Sequence, residues 1–250
     1  MRVHGTLFGD EAGALAGLVI PWLQVAGWIT LGLAALGVMA ASALRVQIAY
    51  LVLASIGTLM IGFSLATPAA TAGSLYYLIH STLLAAAFFL LADMIVRARG
   101  EDADRLEPGA AMPNGVLLGS LFFLLALALA GMPPMSGFFG KLLILHAALD
   151  DPRMAIHYAV ILVSSFVIIV ALARSGSTLF YRSHAEAPST GLPLQKAALP
   201  ALLGLMLAAP LMVVLAQPLT ALLEATAQQL HDTRGYVDAV LSVAAVGSES

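Results

Sequence analysis

Long runs of apolar residues, separated by short polar connections, dominate the pattern along this chain. Seven such runs cover residues 14–42, 46–66, 73–96, 115–130, 137–149, 155–176 and 197–216. A helix of about twenty apolar residues crosses a hydrocarbon core of about 30 Å. Backbone groups in lipid must be paired within the chain, and the runs lack the alternation of barrel strands, so they predict helices. The pattern therefore predicts an all-α, polytopic membrane helix bundle.

Two connections are longer and more polar than the rest. Residues 97–114 and 182–196 mix charged residues with Pro and Gly, which is typical of aqueous loops. After Pro218, four leucines fall mainly on one face of a helix, a pattern typical of helices that lie along a membrane surface or against a partner. The sequence thus predicts a first segment at 1–13, a transmembrane bundle at 14–217 and an amphipathic tail at 218–250.

Composition supports this class and argues against others. Hydrophobic residues make up 60% of the chain and charged residues only 10%, unlike a soluble domain of this length. The absence of cysteine excludes disulfides and cysteine-ligated metals, and no basic tract suits nucleic acid. The sequence contains no cofactor fingerprint, nucleophile elbow or carboxylate pair. We therefore expect no cofactor and no metal, and the residues give little support for enzymatic chemistry on a small molecule.

The basic residues leave the orientation in the membrane open. If the seven segments alternate in direction, six basic residues share one side: Arg45, Arg97, Arg99, Arg105, Arg153 and Arg234. Four fall on the other side: Arg2, Arg174, Arg182 and Lys196. Six against four, with acidic residues interspersed, does not fix which side faces the cytoplasm.

The sequence GMPPMSGFFGK interrupts the apolar pattern. Pro133 and Pro134 favour the end of the preceding helix, because proline lacks a backbone N–H and restricts the residue before it. Gly137 and Gly140 are expected to keep the following segment locally soft. Together these four residues predict a broken helix at membrane depth, where irregular backbone requires surrounding protein or a water-filled cavity.

Lys141 lies just beyond this stretch, inside the next apolar segment. A lysine at that depth costs about 2.5–3.5 kcal/mol. One interpretation is that the side chain extends to the interface and keeps its charge in water. The other is that the helix break holds the amine beside free carbonyls and water, where it can accept and release a proton near neutral pH. We favour the second interpretation.

Several motifs accompany this stretch: YYLIHSTL at 76–83, FFLLAD at 88–93, ARSGSTLFYR at 173–182 and RGYVDAVL at 234–241. With GMPPMSGFFGK they resemble the antiporter-like membrane subunits. That superfamily includes the proton-pumping subunits of respiratory NADH–quinone oxidoreductase and the large subunits of Mrp-type cation/proton antiporters. Within it, the chain most resembles the D-type antiporter subunits of the Mrp, Mnh and Pha systems.

The resemblance implies a fourteen-helix fold with two inverted repeats, each containing one broken helix. This chain corresponds to the second repeat, with about seven helices, and its residues 1–13 to the end of a preceding broken helix or loop. The glutamate–lysine pair of the first repeat is then absent. The resemblance also implies a multi-pass protein of the cell inner (plasma) membrane that assembles with other antiporter subunits. Lys141 would be the central proton-handling lysine of its repeat.

Three further residues are candidates for a proton pathway with Lys141. His80 lies mid-segment as either a hydrogen-bonded core histidine or a relay group, and the resemblance favours the relay because His80 falls in the helix facing the broken one. His146 is expected at a solvated helix end or, in a relay, at the exit. Arg45 lies in a tight turn, either as an interfacial anchor or as the counterpart of a functional lysine in the family.

Other polar residues are expected to be structural. His157 follows a charged turn and is expected at a loop end. Asp93 and Arg97 are spaced four apart and are expected to pair at a helix end. Ser164 and Ser165 either bond to carbonyls of their own helix or line a water wire.

Three interpretations of function remain. The favoured one is a D-type membrane subunit of a multisubunit Na⁺ or K⁺/proton antiporter, with protons moving through a Lys/His relay. The second is a proton-pumping membrane subunit of a complex I-like NADH–quinone oxidoreductase or a related hydrogenase. The third is a truncated structural fragment without transport activity. The sequence around Lys141 does not separate the first two.

Overall fold

The computed structural model describes residues 18–182, 191–192, 196–232 and 235. In these ranges the secondary structure is helical, apart from turns and one isolated bridge. The α-helices are α1 Val19–Ala40, α2 Leu44–Ser64, α3 Pro68–Arg99, α4 Gly115–Ala130, α5 Ser136–Ala147, α6 Met154–Phe180, α7 Leu199–Val214 and α8 Ala216–His231. Each of the seven predicted apolar segments coincides with one of α1–α7, which confirms the all-α membrane architecture.

The helices differ in whether they can cross a membrane alone. By length and apolar composition, α1, α2, α3 and α6 qualify, and α7 and α8 qualify as one pair bent by 84°. Helices α4 and α5 are apolar but shorter, with 16 and 12 residues. At a rise of about 1.5 Å per residue each is shorter than a hydrocarbon core. Their relation to each other therefore decides how the chain is threaded.

Helices α4 and α5 cross the bundle in the same direction, as two parts of one interrupted span. On α4, the ring of Phe122 packs against Phe88 of α3 with centroids 5.3 Å apart. On α5, Leu143 lies beside Gly73, near the start of α3. As the residue number rises from α4 to α5, the number of the contacted residue on α3 therefore decreases. Two antiparallel helices joined at residues 131–135 would reverse that order.

This threading corrects the assumption that all seven segments alternate. One membrane face, here called the basic face, carries the α1–α2 turn, the α3–α4 loop and the start of α7. The described basic residues at or next to that face are Arg45, Arg97, Arg99, Arg105, Arg174, Arg182 and Lys196. The opposite face, at the turn of residues 148–153, has Arg153 alone among the described basic residues. Arg2 and Arg234 lie outside the described residues. Among the described ones, seven basic residues lie at the basic face and one at the opposite face, in place of the six and four expected from alternation.

The interruption itself lies at residues 131–135. Gly131 ends α4 with a φ of 79°, the left-handed conformation that suits glycine at a helix end. Pro133 and Pro134 follow within the break, as expected. Gly137 and Gly140 do not belong to the break, because α5 runs continuously through both of them. Their lack of a side chain instead lets α5 approach α3 closely.

Helix α8 folds back over the start of α3. The Thr71 hydroxyl and His231 Nε2 are 2.9 Å apart. Leu223 is buried against α3, whereas Leu222 is 63% exposed, so only part of the predicted apolar face packs within the chain. The predicted first segment at 1–13 and most of the tail beyond α8 lie outside the described residues.

Candidate functional site

Lys141 is buried at the point where the helix is interrupted. The residue is 8% exposed, and its side chain reaches back across the break. Its Nζ donates to the carbonyl oxygen of Ala130 at 2.9 Å and to Oγ of Ser165 at 2.9 Å. Ala130 is the last residue of α4, so its carbonyl is one that the helix cannot satisfy. The amine thus points into the bundle and does not extend to the membrane surface.

Neutral groups, rather than a counter-ion, hold this amine. Among the residues that the structure describes, no carboxylate lies within ion-pair distance of Lys141. A protonated amine can donate to both Ala130 and Ser165. A neutral amine can keep its bond to Ala130 and accept the Ser165 O–H, because a hydroxyl both donates and accepts. The site can therefore satisfy the hydrogen bonds of both charge states.

Two cavities meet at Lys141. A small cavity of about 10 Å³ includes Ser55 and Tyr77 in its wall, and the hydroxyl oxygens of these two residues are 3.5 Å apart. That volume is about what one water molecule needs. An open cleft of about 280 Å³ runs between α5 and α6 from the break as far as Ile161. Lys141 and Ser165 belong to both walls, so the amine lies between the two spaces.

His80 lies beside the first turn of α5. It is fully buried, and its Nδ1 is 2.8 Å from Oγ of Ser136. Its Nε2 has no hydrogen-bond partner among the described residues. A methyl group on Gly137 would lie 2.7 Å from this nitrogen. His80 and Lys141 are close enough for their charges to interact, although no described hydrogen bond joins them.

The other two predicted pathway residues lie elsewhere. His146 is exposed on the last turn of α5. Arg45 is at the basic face, where its guanidinium is 3.0 Å from Asp93. Arg97 donates to the same carboxylate at 2.8 Å, which confirms the predicted pair four residues apart. Of the four predicted pathway residues, the structure brings only Lys141 and His80 together.

The sequence analysis missed a second buried polar cluster. His157 was expected at a loop end, but it is fully buried in the first turn of α6. Trp28 Nε1 donates to His157 Nδ1 at 3.1 Å. His157 Nε2 lies 2.8 Å from the side-chain nitrogen of Gln24 and 3.4 Å from Oδ1 of Asp151. The available signal was the spacing of Gln24 and Trp28, which places both side chains on one face of α1.

A third polar contact lies on α6 toward the basic face. The Gln47 amide donates to Oγ of Ser175 at 2.8 Å and to the carbonyl oxygen of Val38 at 3.0 Å. Gln47 Oε1 has no partner within the described part of the chain. Helix α6 thus has buried polar contacts near both ends and, through Ser165, in the middle.

Similarity to known proteins is extensive. The NADH:quinone oxidoreductase/Mrp antiporter transmembrane family matches residues 14–169. The D subunit of a probable K(+)/H(+) antiporter of Rhizobium meliloti is 33% identical, with 73% of this chain and 39% of that protein covered. The D subunit of a Na(+)/H(+) antiporter of Bacillus subtilis is 30% identical, with 75% and 37% covered. The chain spans less than two-fifths of the length of these relatives.

Solved structures share the fold. A chain of the Mrp complex from Dietzia sp. superposes with a TM-score of 0.74 at 25% identity, covering 90% of this chain and 50% of that one. A chain of respiratory complex I from Thermus thermophilus with bound NADH gives 0.67 at 24% identity, covering 92% and 49%. The second similarity is one of fold alone.

Proposed function

Because the chain belongs to the NADH:quinone oxidoreductase/Mrp antiporter family of transmembrane proteins, we propose that it forms part of a D-type subunit in a multisubunit cation/proton antiporter. The buried amine of Lys141, held at a helix break between two cavities, is the observation that carries this proposal. Two curated relatives, 33% and 30% identical, are named as D subunits of antiporters. This favours an antiporter over the membrane arm of a redox complex.

In the proposed mechanism, Lys141 takes a proton from water on one side and releases it on the other. Protonation gives Nζ three N–H groups. Two of these donate to Ala130 and Ser165, which leaves the third for a water molecule in the small cavity. Loss of the proton leaves a neutral amine whose lone pair accepts the Ser165 hydroxyl. No carboxylate among the described residues forms an ion pair with Lys141.

His80 is the proposed second group of the relay. Its buried Nε2 has no partner among the described residues, and a buried nitrogen without a hydrogen bond is costly. A water molecule that joins this nitrogen to the Lys141 site would satisfy both groups and provide a path for a proton. The hydroxyl of Tyr77, on the same helix as His80, lies 3.5 Å from the hydroxyl of Ser55 on α2 and continues the polar groups toward that helix.

Proton movement would be coupled to a monovalent cation in the complete complex, with other antiporter subunits as partners. The two relatives are named for different cations, K⁺ and Na⁺. We therefore propose exchange of a monovalent cation and assign neither to this chain.

We infer that the protein lies in the cell inner (plasma) membrane with its basic face toward the cytoplasm, because short loops rich in Lys and Arg stay on that side. The chain contains no cysteine, so single cysteines can report the orientation. A membrane-impermeant maleimide should label Asp150→Cys in intact cells and Glu107→Cys only after lysis. The reverse order of labelling would contradict this orientation.

The proposed function is tested with Lys141→Ala in the complete antiporter complex. Cation/proton exchange driven by a pH gradient in vesicles should be lost, while the complex still purifies intact. Lys196→Ala, at the only other lysine, is the matched control and should retain exchange. Unimpaired exchange in Lys141→Ala would refute the proposal. An intact complex with no exchange before any substitution would favour a structural role for this chain.

A further inference from the structure

We propose that the cluster around His157 is a second proton-binding site, and that protonation of this histidine opens the contact between α1 and α6 at the opposite face. The site lies in the same bundle as Lys141, and its role in transport rests on the proposed antiporter function. The proton-binding step itself does not depend on that function.

The location of His157 suits a site between the interior and the surface. The imidazole is fully buried although it lies only three residues after the start of α6. Its contact to Asp151 joins it to the turn at 148–153, where the Asp151 side chain is 24% exposed. A proton can therefore be exchanged between this buried ring and water through one carboxylate.

The same site lies one helical turn along α6 from the cleft at Lys141. The cleft between α5 and α6 includes Lys141, Ser165 and Ile161 in its wall, and Ile161 is one helical turn from His157. The eight residues from His157 to Ser165 correspond to about 12 Å along α6. The cluster thus lies between the Lys141 cleft and the opposite face.

The hydrogen bond from Trp28 suits a neutral ring. An indole N–H only donates, so Trp28 fixes Nδ1 of His157 as an acceptor. The proton of the neutral ring must then be on Nε2, which lies 3.4 Å from Oδ1 of Asp151 and 2.8 Å from the Gln24 amide nitrogen. The charged groups that face the ring are Asp151 and Arg153 of the turn, whereas α1 contributes the uncharged Gln24 and Trp28.

Gln24 leaves the cluster one acceptor short. Arg153 donates to Oε1 of Gln24, which directs the amide nitrogen toward Nε2 of His157. With the amide turned the other way, its nitrogen would face the Arg153 guanidinium instead. In either orientation one N–H donor faces another, so neither orientation of the amide pairs every donor of the cluster with an acceptor.

A second proton breaks the Trp28 hydrogen bond through which α1 contacts the ring. The proton adds to Nδ1 and yields an imidazolium with an N–H on each nitrogen. Trp28 then has no acceptor, and the Gln24 amide nitrogen still faces the N–H on Nε2, as it does beside the neutral ring. Asp151 is the group that favours the charged ring. The ring turns toward that carboxylate, and the α1–α6 contact next to the Lys141 cleft opens.

Tryptophan fluorescence of the purified full chain in lipid nanodiscs tests this site without any transport assay. The chain has two tryptophans, so Trp22→Phe leaves Trp28 as the single reporter. We expect its emission to change as the pH is lowered from 8 to 4, because protonation removes the indole hydrogen bond and places a charge beside the ring. In a background with Trp22→Phe, His157→Gln should abolish the transition, and the matched control His146→Gln should keep it.

Two results would overturn the proposal: constant emission across this pH range, or the same transition with His157→Gln. If His157→Gln does not fold, the titration is repeated with Asp151→Asn, which leaves the ring in place. The transition midpoint must then differ from that of the Trp22→Phe chain, and an unchanged midpoint would also overturn it. If the fluorescence test fails but Lys141→Ala still abolishes exchange, the His157 proposal is wrong and the proposed antiporter function is unaffected.

Discussion

The side-chain nitrogen of Lys141 lies 2.9 Å from the carbonyl oxygen of Ala130, across the break between α4 and α5. The last carbonyl of α4 needs a donor that the helix cannot supply. The buried lysine needs an acceptor away from water. Each group supplies what the other lacks, so the break and the lysine depend on each other, and the amine remains inside the membrane-spanning bundle.

Ser165 is the partner of Lys141 that can serve both charge states of the amine. Ser165→Ala removes one hydrogen bond of about 1 kcal/mol, which corresponds to a several-fold slower exchange. Ser165→Thr keeps the hydroxyl and should retain most of the rate. Ser164→Ala, at the neighbouring position, is the control and should leave the rate unchanged. Equal exchange rates in Ser165→Ala and Ser164→Ala vesicles would show that the Ser165 hydroxyl has no such role.

Gly137 allows α5 to pack directly against α3. With Gly137→Ala, the new methyl group would lie 2.5 Å from the carbonyl oxygen of Ala128 and 2.7 Å from Nε2 of His80. Overpacking of this kind costs about 1–3 kcal/mol, so thermal unfolding in detergent should occur at a lower temperature. Gly32→Ala is the control, because nothing lies within 4 Å of its added methyl group. If both variants unfold at the same temperature, the packing around Gly137 is not as close as described.

Arg45 should not be needed for exchange, although the sequence made it a candidate. Its ion pair with Asp93 is partly exposed, and such pairs contribute about 0–1 kcal/mol. Arg45→Gln should therefore leave both the exchange rate and the assembly of the complex near their original levels. A large loss of exchange with normal assembly would restore Arg45 to the proton pathway.

Most of the helices could be predicted from the sequence, but the path of the chain through the membrane could not. The apolar runs locate α1–α7 to within a few residues at most ends, because the run length follows the thickness of the bilayer. One span that is broken in the middle and two separate short spans give the same pattern of two short apolar runs, so the runs of α4 and α5 do not distinguish them. Only tertiary contacts, such as those of Phe122 with Phe88 and of Leu143 with Gly73, show that α4 and α5 run in one direction.

The candidate site was predictable in part for a similar reason. A charge next to prolines in an apolar run identifies Lys141, since both features are local. Its contact with Ser165 joins helices whose relative position the sequence pattern does not give. The burial of His157 depends on α1 covering the start of α6, and nothing local distinguishes this residue from a histidine at a loop end.

A proton-carrying Lys141 must lose and regain its charge, which arginine cannot do because its guanidinium stays protonated. The most direct measurement compares Lys141→Arg with Lys141→Ala in vesicles that contain the complete antiporter complex. With assembly intact, pH-gradient-driven cation/proton exchange should be lost as fully in Lys141→Arg as in Lys141→Ala. Exchange retained in Lys141→Arg would show that a fixed positive charge is sufficient, and would contradict the proton-carrying role of Lys141.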